Sequence, residues 1–364
     1  MLFHQLLVAA TIASTMITPS VSPSRPRTAR LSRGPAWTDF RSLAMSEDAK
    51  ANAQEMLAGK KRIAVVVLSA SQDPSSAVSV FGTLVREGMR FSEQLVLVDT
   101  TTTDRLFADA DTVDAARSVA KKHHIDLIVC CQRRTPAEIE MVLVKDDSPL
   151  EPTVISLDDT NKSVIGAAMK SRTHVMKTFD ALPTAHQDAI ELAPNGSLAA
   201  VKLWCRGTQQ LRSVVTIQDP TKRKKICQAI LSTADQALAE SPNFIEAYLL
   251  KASCFDELGD EERLNQTLRD AYSKRNPKRD SPLTILELEG DYARFVDQDL
   301  LAAMEAYDKI LTQNPTDLTA LWSLIDVALS SDTDKETIAM ASEWAARLVA
   351  SHPDSNVAEA IQTQ

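Results

Sequence analysis

Four prolines recur through the C-terminal half of the chain at spacings of 35, 38 and 38 residues: Pro242, Pro277, Pro315 and Pro353. Each follows a segment in which alanine and leucine repeat at helical spacing. Proline cannot continue a helix, so each one marks a helix end. A period of this length is typical of stacked two-helix units, none of which can bury its apolar face alone. The pattern therefore predicts an all-α repeat architecture for this half.

Residues 242–277 fit a two-helix unit best. Gly259 separates two helical patterns and supplies the left-handed conformation that ends a helix. Ala252 and Ala271 fall where the two helices would touch, and larger side chains there would push the helices apart. The segment predicts one closely packed helical hairpin.

Three looser units flank this hairpin. One precedes it, with helices from about Leu203 and over 226–239. Two follow it, the first with helices over 286–295 and 300–313 and the second with helices over 320–329 and 336–350. At least three repeats are needed for a stable stack, and four are predicted. The array is expected to span residues 196–353, with a tail over 354–364.

The preceding segment, residues 45–195, predicts an α/β unit. Short apolar runs rich in β-branched residues indicate buried strands, and amphipathic segments between them indicate helices. The predicted strands are Ile63–Leu68, Leu95–Val98, Leu127–Cys131, Ile139–Val144 and Thr153–Leu157. Helices are expected after the signal Asp73-Pro74-Ser75-Ser76, after a cap at Asp111 or Thr112, and over 161–179. The order β-α-β-α-β-β-β-α predicts a mixed sheet covered by helices, with the last two strands as an antiparallel ribbon at its edge.

Two resemblances follow from these patterns. The strands IAVVVLSAS and LVLVDTT, with VAKKHHIDLIVCCQRR over 119–134, resemble the TolB N-terminal-like domain. The chain departs from that family at Cys130-Cys131, where small residues and glycine are usual. The segment PNFIEAYLLKASCFDELGDEERLNQTLRDAYSKRNP resembles a tetratricopeptide (TPR) repeat. The resemblances imply a small mixed-sheet α/β domain followed by an all-α TPR-like solenoid.

The combined order is similar to the accessory region of bacterial adenylate-cyclase and serine/threonine-kinase associated TPR proteins. Their enzyme domain lies elsewhere in the chain, so the resemblance implies no enzymatic activity here. It implies a scaffold or adaptor whose first helices line a groove for a protein or peptide. Carried onto the best-matching repeat, the groove residues are Glu246, Leu249, Ser253, Asp256 and Glu257. Their acidic share favours a basic or amphipathic ligand, and the alternative is that they are ordinary solvated helix residues.

No residue pattern predicts a catalytic, cofactor or metal site. Gly59-Lys60-Lys61 precedes a strand, whereas a phosphate loop follows one. His123 and His124 are adjacent, so on a helix they point about 100° apart and cannot share a metal as an i, i+4 pair does. The net charge of −9 argues against broad nucleic-acid binding, since phosphate neutralisation needs a basic surface.

The five cysteines lack the spacing of a disulfide framework or a zinc site. Cys130 and Cys131 are adjacent on a predicted strand, so they should point to opposite faces of the sheet. We expect buried thiols in a reducing compartment.

Residues 1–44 contain an apolar stretch followed by arginines, and no Lys or Arg precedes that stretch. A secretory signal has the opposite polarity, while the Arg- and Ser-rich run is similar to an organellar transit peptide. A further alternative is that translation starts at Met45. The cytoplasm is the expected compartment, with an exported, periplasmic or organellar location as the alternative, and no stable membrane span is expected.

Two functional hypotheses result. In the first, the protein is a non-enzymatic adaptor that binds a partner through the TPR groove. In the second, the α/β unit binds a small molecule and the array relays that state within a signalling system. Such a ligand would lie at the strand ends near Ser69-Ala70-Ser71 and Asp99-Thr100.

Overall fold

The structure is a computed structural model that describes residues 45–68, 76–157, 162–183, 194–214, 217, 219–330, 335–355, 358–359 and 361. These residues belong to one compact unit, Ser32–Gln364. The leader expected over residues 1–44 and the strand end Ser69-Ala70-Ser71 lie outside the described residues.

The N-terminal region contains a small mixed sheet, as predicted. Its strands are β1 (Lys61–Val67), β2 (Leu95–Leu97), β3 (Leu127–Thr135), β4 (Glu138–Lys145), β5 (Ser148–Pro149) and β6 (Thr153–Ser156). The order is β2-β1-β3-β4, and β5 and β6 both pair with β4. β1 is parallel to β2 and β3, whereas β4 is antiparallel to β3 and β6. The expected antiparallel ribbon at the edge is β4 with β6.

The sheet has a core on each face, which explains why β1 is apolar from Ile63 onward. Ile63 and Val65 pack on one side, and Ala64 and Val66 on the other. The helices of this region are α1 (Glu47–Leu57), α2 (Ala77–Met89), α3 (Thr100–Leu106), α4 (Val113–Lys122) and α5 (Lys162–Thr178). α3 was not predicted; Asp99 caps it by accepting a hydrogen bond of 2.9 Å from the Thr102 amide.

The C-terminal region is mostly helical, as expected. Its helices are α6 (Leu198–Val214), α7 (Pro220–Glu240), α8 (Ile245–Leu258), α9 (Glu261–Lys274), α10 (Pro282–Asp291), α11 (Leu300–Gln313), α12 (Leu318–Ser330) and α13 (Lys335–Ser351). A π-helical segment, Tyr292–Asp297, extends α10. Consecutive helices pack in pairs: α6 with α7, α8 with α9, α10 with α11 and α12 with α13. Gly259 ends α8 at φ 67°, and Ala252 and Ala271 are buried in one cluster, as predicted.

The two regions are in contact along the edge strand β2. The connection between α11 and α12 lies against it, where the Asn314 side chain donates a hydrogen bond of 3.0 Å to the Arg90 carbonyl. His352 Nε2 lies 2.7 Å from the Thr316 carbonyl oxygen in the same place. Asp354, at the start of the predicted tail, pairs with Arg62 of β1 at 2.7 Å. The Thr316 hydroxyl donates to the Leu95 carbonyl of β2 at 3.5 Å, so the connection satisfies a backbone group that a bare sheet edge would leave unpaired.

A half-buried arginine also joins the two regions. Arg90, which caps the C-terminal end of α2, lies 2.9 Å from Asp317 and 2.6 Å from Glu287 of α10. Burial disfavours the charge of Asp317, but attraction to Arg90 and hydrogen bonding outweigh it, and the pKa of Asp317 lies below its ordinary value. The position of the sheet on the helices is therefore fixed by charge pairing as well as by apolar packing.

Gly290 of α10 is a site where packing leaves no room for a side chain. A Cβ there would lie 2.5 Å from Cε1 of Tyr307, whose ring is 1% exposed and whose hydroxyl donates to Asp291 at 2.5 Å. We expect Gly290→Ala to lower the free energy of unfolding by about 1–3 kcal/mol, since overpacking exceeds the helix-propensity gain of about 1 kcal/mol.

Gly166 of α5 provides the matched control for this substitution. A Cβ there would meet no atom within 4 Å, so Gly166→Ala should stabilise by up to about 1 kcal/mol. Urea denaturation of both variants measures the difference. Equal effects of the two substitutions would contradict the packing described at Tyr307.

Candidate functional site

The helices α8, α10 and α12, which are the first members of their pairs, carry a set of carboxylates. These are Glu246, Asp256, Glu257, Glu287, Asp291 and Asp326. We call this set with its neighbouring residues the acidic face. In the described residues Arg90 and Arg294 form ion pairs with its members, and Arg223 attracts Glu257. Carboxylates therefore outnumber the cations that compensate them.

The residues predicted for a partner groove all belong to α8 but differ in exposure. Ser253 and Glu257 are exposed, whereas Glu246, Leu249 and Asp256 are half-buried. The Ser253 hydroxyl donates to the Leu249 carbonyl at 3.0 Å, so its oxygen keeps acceptor capacity toward solvent. The accessible part of the predicted groove is thus its Ser253–Glu257 end.

Glu246 lies at the more buried end of the acidic face. Thr284 donates a hydrogen bond of 3.4 Å to its Oε1, while Oε2 is buried without a hydrogen-bond partner among the described residues. Burial raises the pKa of Glu246 to about 7, and the nearby Asp280 and Glu287 add to the rise. This carboxyl therefore titrates close to neutral pH.

A second group of acids surrounds Arg294 of the π-helical segment. Arg294 pairs with Asp326 at 2.5 Å, and the Tyr307 hydroxyl donates to Asp291 at 2.5 Å. Burial raises the pKa of both Asp256 and Asp291 to about 6, against the opposing attraction of Arg294. One guanidinium does not neutralise the three carboxylates around it, so the group favours an additional positive charge nearby.

Several members of this face were not predicted from the sequence. Glu287, Asp291 and Asp326 lie on the first helices of the third and fourth units, beside the predicted α8 residues. Counted from the proline that precedes each unit, Asp256 corresponds to Asp291 and Ser253 to Asp326, so transferring these positions would have found two of the three acids but not Glu287. Arg294 carries no such signal, because the π-helical segment shifts its register.

A cavity of about 150 Å³ lies at the carboxyl end of β1. Residues 65–67 of β1 line it, with side chains of α2, α3 and α6. Its polar lining comprises Ser79, Thr83, Arg86, Thr100, Thr103, Asp104 and Gln209. Thr100 is one of the strand-end positions predicted for a ligand, and Asp99 beside it serves as the helix cap.

The cavity has a closed end and an open end. At the closed end, Arg86 is 5% exposed and donates a hydrogen bond of 2.7 Å to the Val65 carbonyl and another to the Thr100 hydroxyl. Asp104 and Ala108, by contrast, are exposed and mark the mouth. On the α6 wall, Gln209 Oε1 is buried with no hydrogen-bond partner in the described structure. The site thus combines a buried cation with an unpaired acceptor.

The remaining polar candidates have structural positions. Cys130 and Cys131 are buried in different core clusters on opposite faces of the sheet, as predicted, and all five cysteines are buried and form no disulfide. His123 caps α4 and lies 3.5 Å from Asp354. No group of three or more His, Cys, Asp or Glu with metal-binding geometry occurs in the described residues.

Within the described ranges, no helix has both the length and the apolar character needed to cross a bilayer. Comparison of the chain with protein-family models found no match, and comparison with curated proteins found no significant one.

Glu246 allows a test of the electrostatics of the acidic face. Its pKa is raised above the ordinary value, so its contribution to stability is present at low pH and is lost as the pH rises through about 7. Glu246→Gln keeps the shape and removes the titration. We expect the variant to gain on the order of 2 kcal/mol relative to the wild type between pH 5 and pH 8.

Urea denaturation at the two pH values measures this gain. Glu262→Gln, on the exposed surface of α9, is the control for removing one carboxylate from the surface. A relative stability of Glu246→Gln that does not change with pH would show that Glu246 is not desolvated as described.

Proposed function

We propose that the protein is a non-enzymatic interaction scaffold, in which a TPR-like solenoid binds a basic or amphipathic segment of a partner protein along the acidic face. The pairwise packing of the helices supports the solenoid, together with the left-handed Gly259 and the small residues between α8 and α9. The α/β region is proposed to be a TolB N-terminal-like domain that accompanies it, as in signalling accessory proteins.

The excess of carboxylates on the acidic face is the observation that carries this proposal. Three of these groups, Glu246, Asp256 and Asp291, have a pKa raised mainly by burial to about 6 or 7. A Lys or Arg of a bound partner would favour the charged forms of these three carboxyl groups. Partner binding therefore adds favourable charge–charge interactions that are absent in the free protein. The exposed positions Ser253 and Glu257 provide the point of access.

The helices are also held rigidly enough to present such a face. Arg90 anchors α10 and the start of α12 to the sheet region, and α13 packs against α1. A face whose carboxylates are fixed before binding loses less conformational entropy when a partner docks. The contacts that fix the helices thus favour a binding role for the face between them.

Selection of a random peptide library on the full chain tests the scaffold. Enriched peptides should carry a net positive charge, and their affinity should fall as salt is raised, because the Debye length is only about 8 Å at physiological ionic strength. The double variant Asp256→Asn, Glu257→Gln should weaken binding roughly fivefold or more, given up to about 1 kcal/mol for each charge pair.

The double variant Glu261→Gln, Glu262→Gln makes the same change of charge on the exposed surface of α9 and is the control. Fluorescence anisotropy with one enriched peptide compares the two double variants. Equal weakening by both, or enriched peptides without a charge bias, would refute binding at the acidic face.

A second candidate function, a ligand-sensing accessory module, is supported by the cavity at Thr100. The α6 wall that provides Gln209 also contacts α8, because a Cβ on Gly207 would lie 2.5 Å from Leu250 Cδ2. A ligand held at Gln209 is therefore one helix away from the acidic face.

A further inference from the structure

The cavity is built like a site for a small polar molecule. It lies outside the carboxyl end of β1, beside the parallel strand β2, and this is the edge at which α/β sheets bind their ligands. It is lined by elements far apart in the sequence, from β1 to α6, which fix its polar groups from several sides. Such convergence of a few polar groups on one concavity is characteristic of ligand sites.

The closed end of the cavity favours a negatively charged group on the ligand. Arg86 carries a permanent positive charge at 5% exposure, and its planar guanidinium matches the geometry of a carboxylate. Its bonds to the Val65 carbonyl and the Thr100 hydroxyl hold the group in one orientation toward the cavity. The low exposure of this end leaves the guanidinium little screened by water.

The α6 wall selects for a hydrogen-bond donor. Gln209 Oε1 is a buried acceptor that finds no partner among the residues described, and an unmet buried acceptor costs about 1–3 kcal/mol. An N–H or O–H on the ligand would satisfy it. The α6 wall and the closed end together favour a ligand that carries both a hydrogen-bond donor and an anionic group.

The volume limits the size of that molecule. About 150 Å³ is the size of an engineered cavity that accommodates benzene. Nucleotides and peptides are too large to be enclosed by it. Compact acids of about six non-hydrogen atoms fit, with Thr83 as a further hydroxyl neighbour.

We infer that the cavity between β1, α2, α3 and α6 binds a small amino acid or hydroxy acid, with its carboxylate at Arg86 and its ammonium or hydroxyl group at Gln209. The inference rests on the second candidate function and adds the chemical class of the ligand to it.

Titration of the full chain, monitored by ligand-observed NMR, tests this assignment. The probes are glycine, L-serine, L-alanine, glycolate and L-lactate. Lactamide keeps the donor and lacks the charge, while acetate and propionate keep the charge and lack the donor. At least one amino or hydroxy acid should bind, and the analogues lacking either group should bind at least about tenfold more weakly, as expected for about 1.4 kcal/mol.

Two variants assign the binding to the cavity. Gln209→Leu removes the acceptor at similar volume and should weaken binding about tenfold. Gln210→Leu makes the same change at the next position of α6, which does not line the cavity, and should leave binding unchanged. Equal effects of the two substitutions would place the ligand elsewhere and overturn the inference.

The other outcomes separate the ligand class from the sensing function. Binding of lactamide alone, lost in Gln209→Leu, would overturn the acid assignment and leave a ligand-sensing cavity. Binding of none of these probes overturns the assignment, and a broader metabolite screen without any cavity-dependent ligand would overturn the sensing function as well. Neither result bears on peptide binding at the acidic face, which is measured independently.

Discussion

The arrangement of this protein depends on one half-buried cation at the end of α2. Arg90 donates to Asp317 and Glu287, and its own carbonyl accepts from Asn314, so a single residue contacts α10 and the α11–α12 connection. Removing Arg90 would leave Asp317, whose side chain is 3% exposed, without its cation, and an uncompensated buried charge typically costs about 3–5 kcal/mol. The same connection reaches the edge strand β2 through Thr316, whose hydroxyl donates to the Leu95 carbonyl. Helix placement and contact with the sheet edge are thus linked through the α11–α12 connection.

The sequence was sufficient wherever local pattern determines local structure. The helix predicted over 300–313 matches α11 residue for residue, and the apolar run of β1 predicted a central strand buried on both faces. Short elements behave differently. The seven residues of α3 contain four consecutive threonines, a β-favouring composition, and become helical under the Asp99 cap and the packing of Leu106 on the sheet. Tertiary contact there outweighs propensity.

The candidate functional sites also differ in how far the sequence predicts them. The α8 residues of the acidic face were accessible to prediction because one repeat matches a known pattern. The acids of α10 and α12 join them only through packing between units, and their raised pKa values arise from burial, which no spacing in the sequence records. The sequence gives even less indication of the cavity. Its lining brings together Arg86, Thr100 and Gln209, which are separated by up to about a third of the chain and meet only in the folded state.

The adjacent thiols of β3 have a consequence for how unfolding of this protein can be followed. Both are fully buried on opposite faces of a central strand, and burial raises the pKa of Cys130 to about 12, so neither is available as thiolate in the folded state. Alkylation of this pair therefore requires separation of both layers that cover the sheet. The rate of that labelling under native conditions therefore measures the rate of cooperative opening of the whole α/β region. Mass spectrometry of one peptide detects it without any engineered probe.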